Sequence, residues 1–277
     1  MKYTVQVKTF KIIAVLLIVT AIVLYHRQLL AMVRTWQPTL FGCEEIAESV
    51  FVQADMPSGQ REKLLSDLAA SRNRLSRLFD SFESSPKVIV CADEACFRRY
   101  GGVSAKGNAF GHYAIVLSPR RFSTVFLTHE LFHAELAQRI GIWRLWMAAD
   151  IPRWFDEGLA VYASEDPRHD RQSWCLGTNN GKDAPGLDEL AKRHDWLTVN
   201  RRGGVYSYGT AREELSRWFE YAGTDALGKL IKRIKAGDEF LPVYTDLAGV
   251  ADTFLPRAAS ALQANQYCPG HVAGTVE

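Results

Sequence analysis

Two segments decide the fold that we expect for this chain: HELFH at His129–His133 and WFDEGLA at Trp154–Ala160. On a helix, residues four apart lie on one face with their Cβ atoms about 6 Å apart, so His129 and His133 can reach a single metal ion. A second helix can bring Glu157 to the same ion. Two neutral imidazoles and one carboxylate, with an open fourth position, form the ligand pattern of a catalytic zinc site. The sequence therefore predicts one zinc ion bound by these three residues.

The sequence around the first segment favours a helix. Ser123 or Thr124 can cap its start, and Gly141 stands where a helix is expected to end. No proline or glycine interrupts the residues between them. The alternative is an ordinary amphipathic helix with two structural histidines, because a short motif also occurs by chance.

Each polar residue of the two segments has its own predicted role. Glu130 follows His129 by one residue and is rotated about 100° around the helix axis, so we expect it to act as general base rather than as ligand. Glu157 lies among apolar residues, where an unpaired charge is costly, although a surface carboxylate is the alternative. Gly158 permits close approach of another backbone, and Pro152 suits the start of a helix.

The segments Thr128–His133 and Pro152–Ala160 resemble the gluzincin metallopeptidases, and in particular the peptidase MA-like group. Those proteins pair HExxH with a downstream WxxEGxA-type segment. The resemblance implies an α+β fold with a zincin-like metallopeptidase domain, which has a small sheet, an active-site helix and then a helical subdomain. It also implies zinc as the metal and a peptide or protein as the substrate.

A third segment, Tyr206–Thr210, is similar to the Y-x-x-G segment that contains the catalytic tyrosine of aminopeptidase-N-like enzymes. This similarity implies that Tyr206 stabilises the oxyanion of the tetrahedral intermediate. Tyr208 is the alternate candidate, and a packed aromatic side chain is the other interpretation of Tyr206. No segment like the exopeptidase motif GAMEN precedes the histidines, which weakens the case for aminopeptidase activity, and the sequence does not distinguish an endopeptidase from an exopeptidase.

The N-terminal region predicts a membrane anchor. Ile12–Tyr25 is a run of 14 residues without charge, flanked by Lys11 and Arg27. A run of this length is typical of a signal sequence, but no A-x-A-like cleavage site follows it. We therefore expect an uncleaved signal anchor, a transmembrane helix, with secretion after cleavage as the alternative. Lysines before the run favour a cytoplasmic N-terminus and a catalytic domain in the periplasm or outside the cell.

The chain has five cysteines: Cys43, Cys91, Cys96, Cys175 and Cys268. Disulfides are permitted if the domain is exported. Cys91 and Cys96 are close enough in sequence to bridge, and the other pairings stay open. An odd count leaves at least one thiol unpaired within the chain.

The remaining sequence predicts the organisation of the chain. We expect an anchor and juxtamembrane segment over 1–36, a helical segment over 37–84 and the zincin-like domain over 85–277. Lys87–Val90 and His112–Leu117 read as strands, and the second is expected to border the substrate cleft. A net charge of +2 in 277 residues gives no indication of a nucleic-acid partner. The sequence does not indicate an oligomeric state.

Three functional hypotheses follow. The first is a membrane-anchored zinc metallopeptidase that hydrolyses peptide bonds with Glu130 as general base. The second is a non-catalytic binding or scaffold domain at the membrane that has kept the fold, and the third is a hydrolase of a non-protein amide. The intact Glu130 argues against the second hypothesis, because a structural zinc site needs no general base and usually has a fourth protein ligand.

Overall fold

The computed structural model describes residues 30–102, 107–119, 123–147, 151–249 and Cys268. Ile12–Tyr25, the apolar part of the predicted anchor, lies outside the described residues. Among the residues that are described, no helix has the length and apolar character needed to cross a lipid bilayer.

The chain folds as α+β, as predicted, with one small mixed sheet and many helices. It divides into two compact units, and each unit is discontinuous in sequence. The first comprises the chain up to Glu62, Lys87–Asn108 and Ala114–Phe122, and the second comprises Lys63–Pro86, Ala109–Tyr113 and the chain from Ser123 onward.

Five short strands form the sheet. In chain order they are β1 (Cys43–Ala47), β2 (Val50–Gln53), β3 (Lys87–Val90), β4 (Gly107–Phe110) and β5 (Ala114–Leu117). Their order across the sheet is β1-β2-β3-β5-β4. β1 pairs antiparallel with β2, whereas β2–β3 and β3–β5 are parallel pairs. β3 and β5 are almost wholly buried, as expected for parallel strands that are covered on both faces.

The strands differ from the sequence prediction in two places. β5 begins at Ala114 rather than at His112, because Gly111 has a φ of +58° and the Tyr113 N–H donates to Phe110 O at 3.2 Å, which makes a turn before the strand. The segment 37–84, predicted to be helical, contains β1 and β2 before its long helix.

Residues 30–36 are helical, and nine α-helices follow within the described residues. They are α1 (Ser58–Phe79), α2 (Glu94–Arg99), α3 (Thr124–Ile140), α4 (Arg153–Ser164), α5 (Arg171–Gly177), α6 (Arg193–Asn200), α7 (Thr210–Ala222), α8 (Ala226–Ala236) and α9 (Phe240–Ala248). Short 3₁₀ turns lie at Pro38–Phe41 and Pro167–His169, and π-helical turns at Trp143–Met147 and Val205–Gly209. α3 begins after Ser123 and ends before Gly141, as predicted, although the Ser123 side chain makes no capping hydrogen bond.

Helix α4 packs against α3 on one side and against α7 on another. A Cβ atom at Gly158 would lie 2.8 Å from the backbone oxygen of Ala211 on α7. Only glycine therefore permits this approach, which confirms the role predicted for Gly158. Helix α1 steadies α3, because Thr128 Oγ1 bonds Ser71 Oγ at 2.9 Å. The helix that contains both histidines is thus held by its neighbours within the second unit.

The structure resolves the cysteine pairing that the sequence left open. Cys91 is bridged to Cys96, and Cys175 is bridged to Cys268 across a separation of 93 residues. Cys43 is the free thiol, and it is buried. The expectation of at least one unpaired cysteine is confirmed.

Candidate metal centre

Helices α3 and α4 bring His129, His133 and Glu157 together. The Nε2 atoms of the two histidines are 3.2 Å apart. Glu157 Oε2 lies 3.3 Å from Nε2 of His129 and 3.7 Å from Nε2 of His133. This group could hold a metal ion, and it contains the three residues that the sequence predicted as ligands.

The spacing of the three atoms fits a small divalent cation. Metal bonds of 2.0–2.1 Å at tetrahedral angles place neighbouring ligand atoms about 3.3 Å apart, close to the separations seen between His129, His133 and Glu157. Glu157 Oε2 is buried and makes no hydrogen bond of acceptable geometry with the residues described. Buried polar atoms almost always have a hydrogen-bond partner. A buried carboxylate oxygen that lacks one and lies beside two imidazole nitrogens is therefore suited to bind a cation.

Two residues outside the ligand group orient it. His133 Nδ1 lies 2.7 Å from Oδ1 of Asp156, so the Nδ1–H donates to the carboxylate and the Nε2 lone pair faces the other ligand atoms. Arg153 donates from Nη1 to Oδ2 of Asp156 at 2.8 Å and from Nη2 to Oε1 of Glu157. Each carboxylate therefore uses one oxygen for Arg153 and presents the other to the histidines.

The charges around the site shift the pKa values of its members in opposite directions. Burial alone would lower the pKa of His133, but the Asp156 carboxylate, together with Glu157 and Glu130, outweighs burial and raises that pKa to about 9. Burial alone would raise the pKa of Glu157, but the Arg153 guanidinium and the two histidines hold it well below its usual range. The pKa of Asp156 is also lowered, since His133 and Arg153 overcome the effect of burial. The group is thus arranged around ionised carboxylates.

Glu130 lies beside the ligand group without belonging to it. Its side chain is buried. Burial raises its pKa above the usual range, while His129 and His133 act in the opposite direction and Glu157 adds to the rise. The group that could hold the ion consists of the other three residues.

Of the two candidate tyrosines, Tyr208 is the one that lies near the histidines. Its ring centroid is 6.3 Å from that of His129 and 5.0 Å from that of Trp196. The Glu157 carboxylate and then burial raise the pKa of Tyr208 well above its usual value. The ring of Tyr206 instead packs under the guanidinium of Arg202, 4.9 Å from the ring centroid.

Sequence reasoning missed Asp156 and Arg153. Both lie within one helical turn of Glu157, and Arg153 stands three and four residues before the two carboxylates. That spacing places the three side chains on neighbouring positions of a helix surface, so an ion-pair search along α4 would have found the guanidinium. The link from Asp156 to His133 depends on how α3 and α4 pack, which spacing alone does not give.

Comparison with known proteins adds no family assignment. No protein-family model matches this chain, and no curated protein matches its sequence. The case for a metal centre therefore rests on the geometry of His129, His133 and Glu157 and on the charges that surround them.

Proposed function

We propose that this protein is a zinc-dependent metallopeptidase of the gluzincin, peptidase MA-like type. The main support is the convergence of His129, His133 and Glu157 within 3.7 Å. Glu130 is buried on the same helix as the histidines, and its pKa responds to all three residues. Two histidines and one glutamate are the ligands of catalytic zinc sites that keep a fourth position for water or substrate. Imidazole ligands favour zinc over the harder cations magnesium and calcium.

The reaction would divide between the metal and Glu130. His129, His133 and Glu157 would hold the zinc ion, which would supply Lewis-acid chemistry at this site. Glu130 takes a proton from the attacking water on its carboxylate and later delivers it to the leaving amine nitrogen. The raised pKa of Glu130 suits this task, because a higher pKa makes the carboxylate a stronger proton acceptor.

Tyr208 is the donor that we assign to the oxyanion. Its pKa lies well above the usual value for tyrosine, so the phenol keeps its proton and can donate a hydrogen bond to the negative oxygen that forms on the substrate. Tyr206, which the resemblance favours, stays the alternative. Its ring packs with Arg202.

The location that we propose is a membrane surface outside the cytoplasm. Two disulfides support an oxidising compartment. Several large apolar side chains directly after the predicted anchor are exposed, and Trp36 and Leu40 are 72% and 76% exposed. Tryptophan is enriched where a protein meets the membrane interface. The substrate is a peptide or protein, and nothing supports a nucleic-acid partner.

The test is a Glu130→Gln variant of the full-length chain in detergent, with Glu62→Gln as its matched control. Glu62 is an exposed residue of α1. We expect both variants to bind one zinc ion per chain, measured by elemental analysis. Cleavage of a mixed peptide library should fall about 10²–10⁴-fold in Glu130→Gln alone, and a zinc chelator should stop cleavage by the wild type.

Two results would overturn the proposal. A wild-type protein that binds zinc but shows no chelator-sensitive cleavage of any library peptide would favour a binding domain or a hydrolase of another amide. A Glu130→Gln protein that cleaves as fast as the wild type would remove the general base from the mechanism.

A further inference from the structure

Arg153 joins the two carboxylates of the metal centre through one guanidinium group. Its Nη1 donates to Asp156 at 2.8 Å, and its Nη2 donates to Glu157. Both carboxylates are buried, with 4% of each residue exposed. Neither the general-base role of Glu130 nor the ligand set makes use of this residue.

The position of Arg153 on the helix calls for a specific explanation. It is the first residue of α4, and a positive charge in the first turn of a helix is opposed by the helix dipole. The backbone there is fixed, since the Arg153 N–H donates to Ala191 O at 2.8 Å and the Trp154 N–H to Leu190 O at 3.1 Å. The guanidinium therefore extends from a rigid base toward its two partners.

The contact pattern divides the oxygens of Glu157 between two tasks. Oε1 accepts from Arg153, whereas Oε2 faces Nε2 of His129 at 3.3 Å. A free carboxylate can offer both oxygens to one cation and occupy two coordination positions. Because Oε1 is engaged, only Oε2 is directed toward the ion.

Resting on the proposed function, we propose that Arg153 is a positioning residue that restricts Glu157 to one-oxygen ligation and so preserves the coordination position used by water and substrate. The same guanidinium holds Asp156, which orients His133. One side chain thereby sets the direction of two of the three ligands.

The planar fork of arginine suits this task better than lysine does. Guanidinium presents two donors in fixed geometry to two acceptors, whereas an ammonium is a single compact charge. Lysine at position 153 keeps the positive charge but lacks the planar fork that presents two donors in fixed geometry to the two carboxylates. Comparing arginine with lysine at position 153 therefore distinguishes the effect of positive charge from the effect of holding Glu157 in a fixed orientation.

The experiment compares Arg153→Met and Arg153→Lys with the wild type after zinc is replaced by cobalt(II). Visible absorption of bound cobalt reports coordination number, because four-coordinate cobalt absorbs much more strongly than five- or six-coordinate cobalt. We expect both variants to lose intensity in these bands as Glu157 takes up two positions. X-ray absorption of the zinc-loaded forms should show one additional oxygen ligand.

The matched control is Arg233→Met, since Arg233 also bridges two carboxylates, those of Asp238 and Asp246 at 2.7 and 2.6 Å, on the surface of α8 and α9. It should keep the wild-type spectrum. Circular dichroism and thermal melting of each metal-loaded variant establish that the chain is folded. Where peptidase activity is present, kcat should fall about 10–100-fold in the Arg153 variants, with KM little changed.

The coordination measurements decide the inference even if no peptide is cleaved, so its failure differs from a failure of the proposed function. A folded Arg153→Met protein with unchanged cobalt bands and unchanged zinc coordination overturns it. A wild-type spectrum in Arg153→Lys would also overturn it, since positive charge would then be sufficient without the fork.

Discussion

Glu157 on α4 and Glu214 on α7 are both buried glutamates, yet their pKa values are shifted in opposite directions. Only 4% of Glu157 and 1% of Glu214 is exposed. The pKa of Glu157 lies well below the usual range, whereas burial raises the pKa of Glu214 to about 7. Depth of burial is nearly the same at both positions, so it does not explain the difference.

The surrounding charges explain it. Glu157 faces Arg153 and two imidazoles, which together overcome the cost of burial. Glu214 has Arg217, 3.4 Å from its Oε2, and accepts a hydrogen bond from Tyr244 Oη at 3.2 Å. These partners do not offset burial, so the carboxyl group of Glu214 holds its proton over a wider pH range. Glu157 is a buried carboxylate that stays charged and has one oxygen without a hydrogen bond, as expected of a metal ligand. Glu214 favours its protonated form, as expected of a glutamate in the core.

The largest effect is expected from exchanging each glutamate for glutamine. Glu157→Gln removes the anionic ligand and leaves Arg153 facing a neutral group. We expect zinc affinity to fall more than about 100-fold, because loss of a residue that only hydrogen-bonds a metal ligand already lowers affinity about 10–100-fold. Glu214→Gln should keep wild-type affinity. Competition with a fluorescent chelator measures both, and equal affinities in the two variants would contradict the distinction between these sites.

The tyrosines beside the two glutamates extend the comparison. Tyr208→Phe removes the proposed oxyanion donor, so we expect kcat to fall about 10²–10³-fold with zinc affinity unchanged. Tyr244→Phe removes the hydrogen bond to Glu214 and should cost about 1–3 kcal/mol of unfolding free energy without changing kcat. Steady-state kinetics and urea unfolding measure the two effects.

Tyr206→Phe is the control for the assignment of the oxyanion donor. Its ring packs with Arg202, and we expect the variant to keep kcat within about twofold, since no transition-state contact is removed. If Tyr206→Phe loses activity and Tyr208→Phe does not, the roles of the two tyrosines are reversed.

The pH dependence of stability tests Glu214 directly. A carboxyl group whose pKa is raised on folding binds more protons in the folded state, so its contribution to stability falls as pH rises from the unfolded pKa, about 4.3, through the folded value of about 7. At about 1.4 kcal/mol per pKa unit, the loss reaches roughly 4 kcal/mol above pH 7. Glu214→Gln has no such group.

The measurement is urea unfolding of the metal-loaded wild type and of Glu214→Gln at several pH values between 4 and 8. Relative to the wild type, the variant should gain unfolding free energy steadily across this range and level off above the folded pKa of Glu214. A difference that does not change with pH would show that burial does not raise the pKa of this residue.

The parts of the structure that depend on local spacing were accessible from the sequence. The limits of α3 followed from Ser123 and Gly141, and the shared face of His129 and His133 followed from their separation of four residues. Glycine at position 158 predicted the close helix contact that the structure shows.

The parts that depend on long-range packing were not accessible. β1 and β2 are short, and β2 is placed in the sheet by parallel pairing with β3, a strand distant in sequence. The bond between Cys175 and Cys268 spans 93 residues. The choice between Tyr206 and Tyr208 depends on the π-helical turn at Val205–Gly209, where the angular spacing of an α-helix does not apply.

The contact between Asp156 and His133 also depends on long-range packing and was not predictable from the sequence. Replacing Asp156 is expected to give the smallest loss of zinc affinity. Its carboxylate accepts from His133 Nδ1 at 2.7 Å, so it fixes the tautomer that presents Nε2 to the ion. Asp156→Ala should weaken zinc binding about 10–100-fold. Asp156→Asn should cost less, because its amide oxygen still accepts the hydrogen bond without the negative charge. If both variants bind zinc with wild-type affinity, the packing of α3 alone orients His133. The Asp156 carboxylate would then have a structural role only, as Glu214 does.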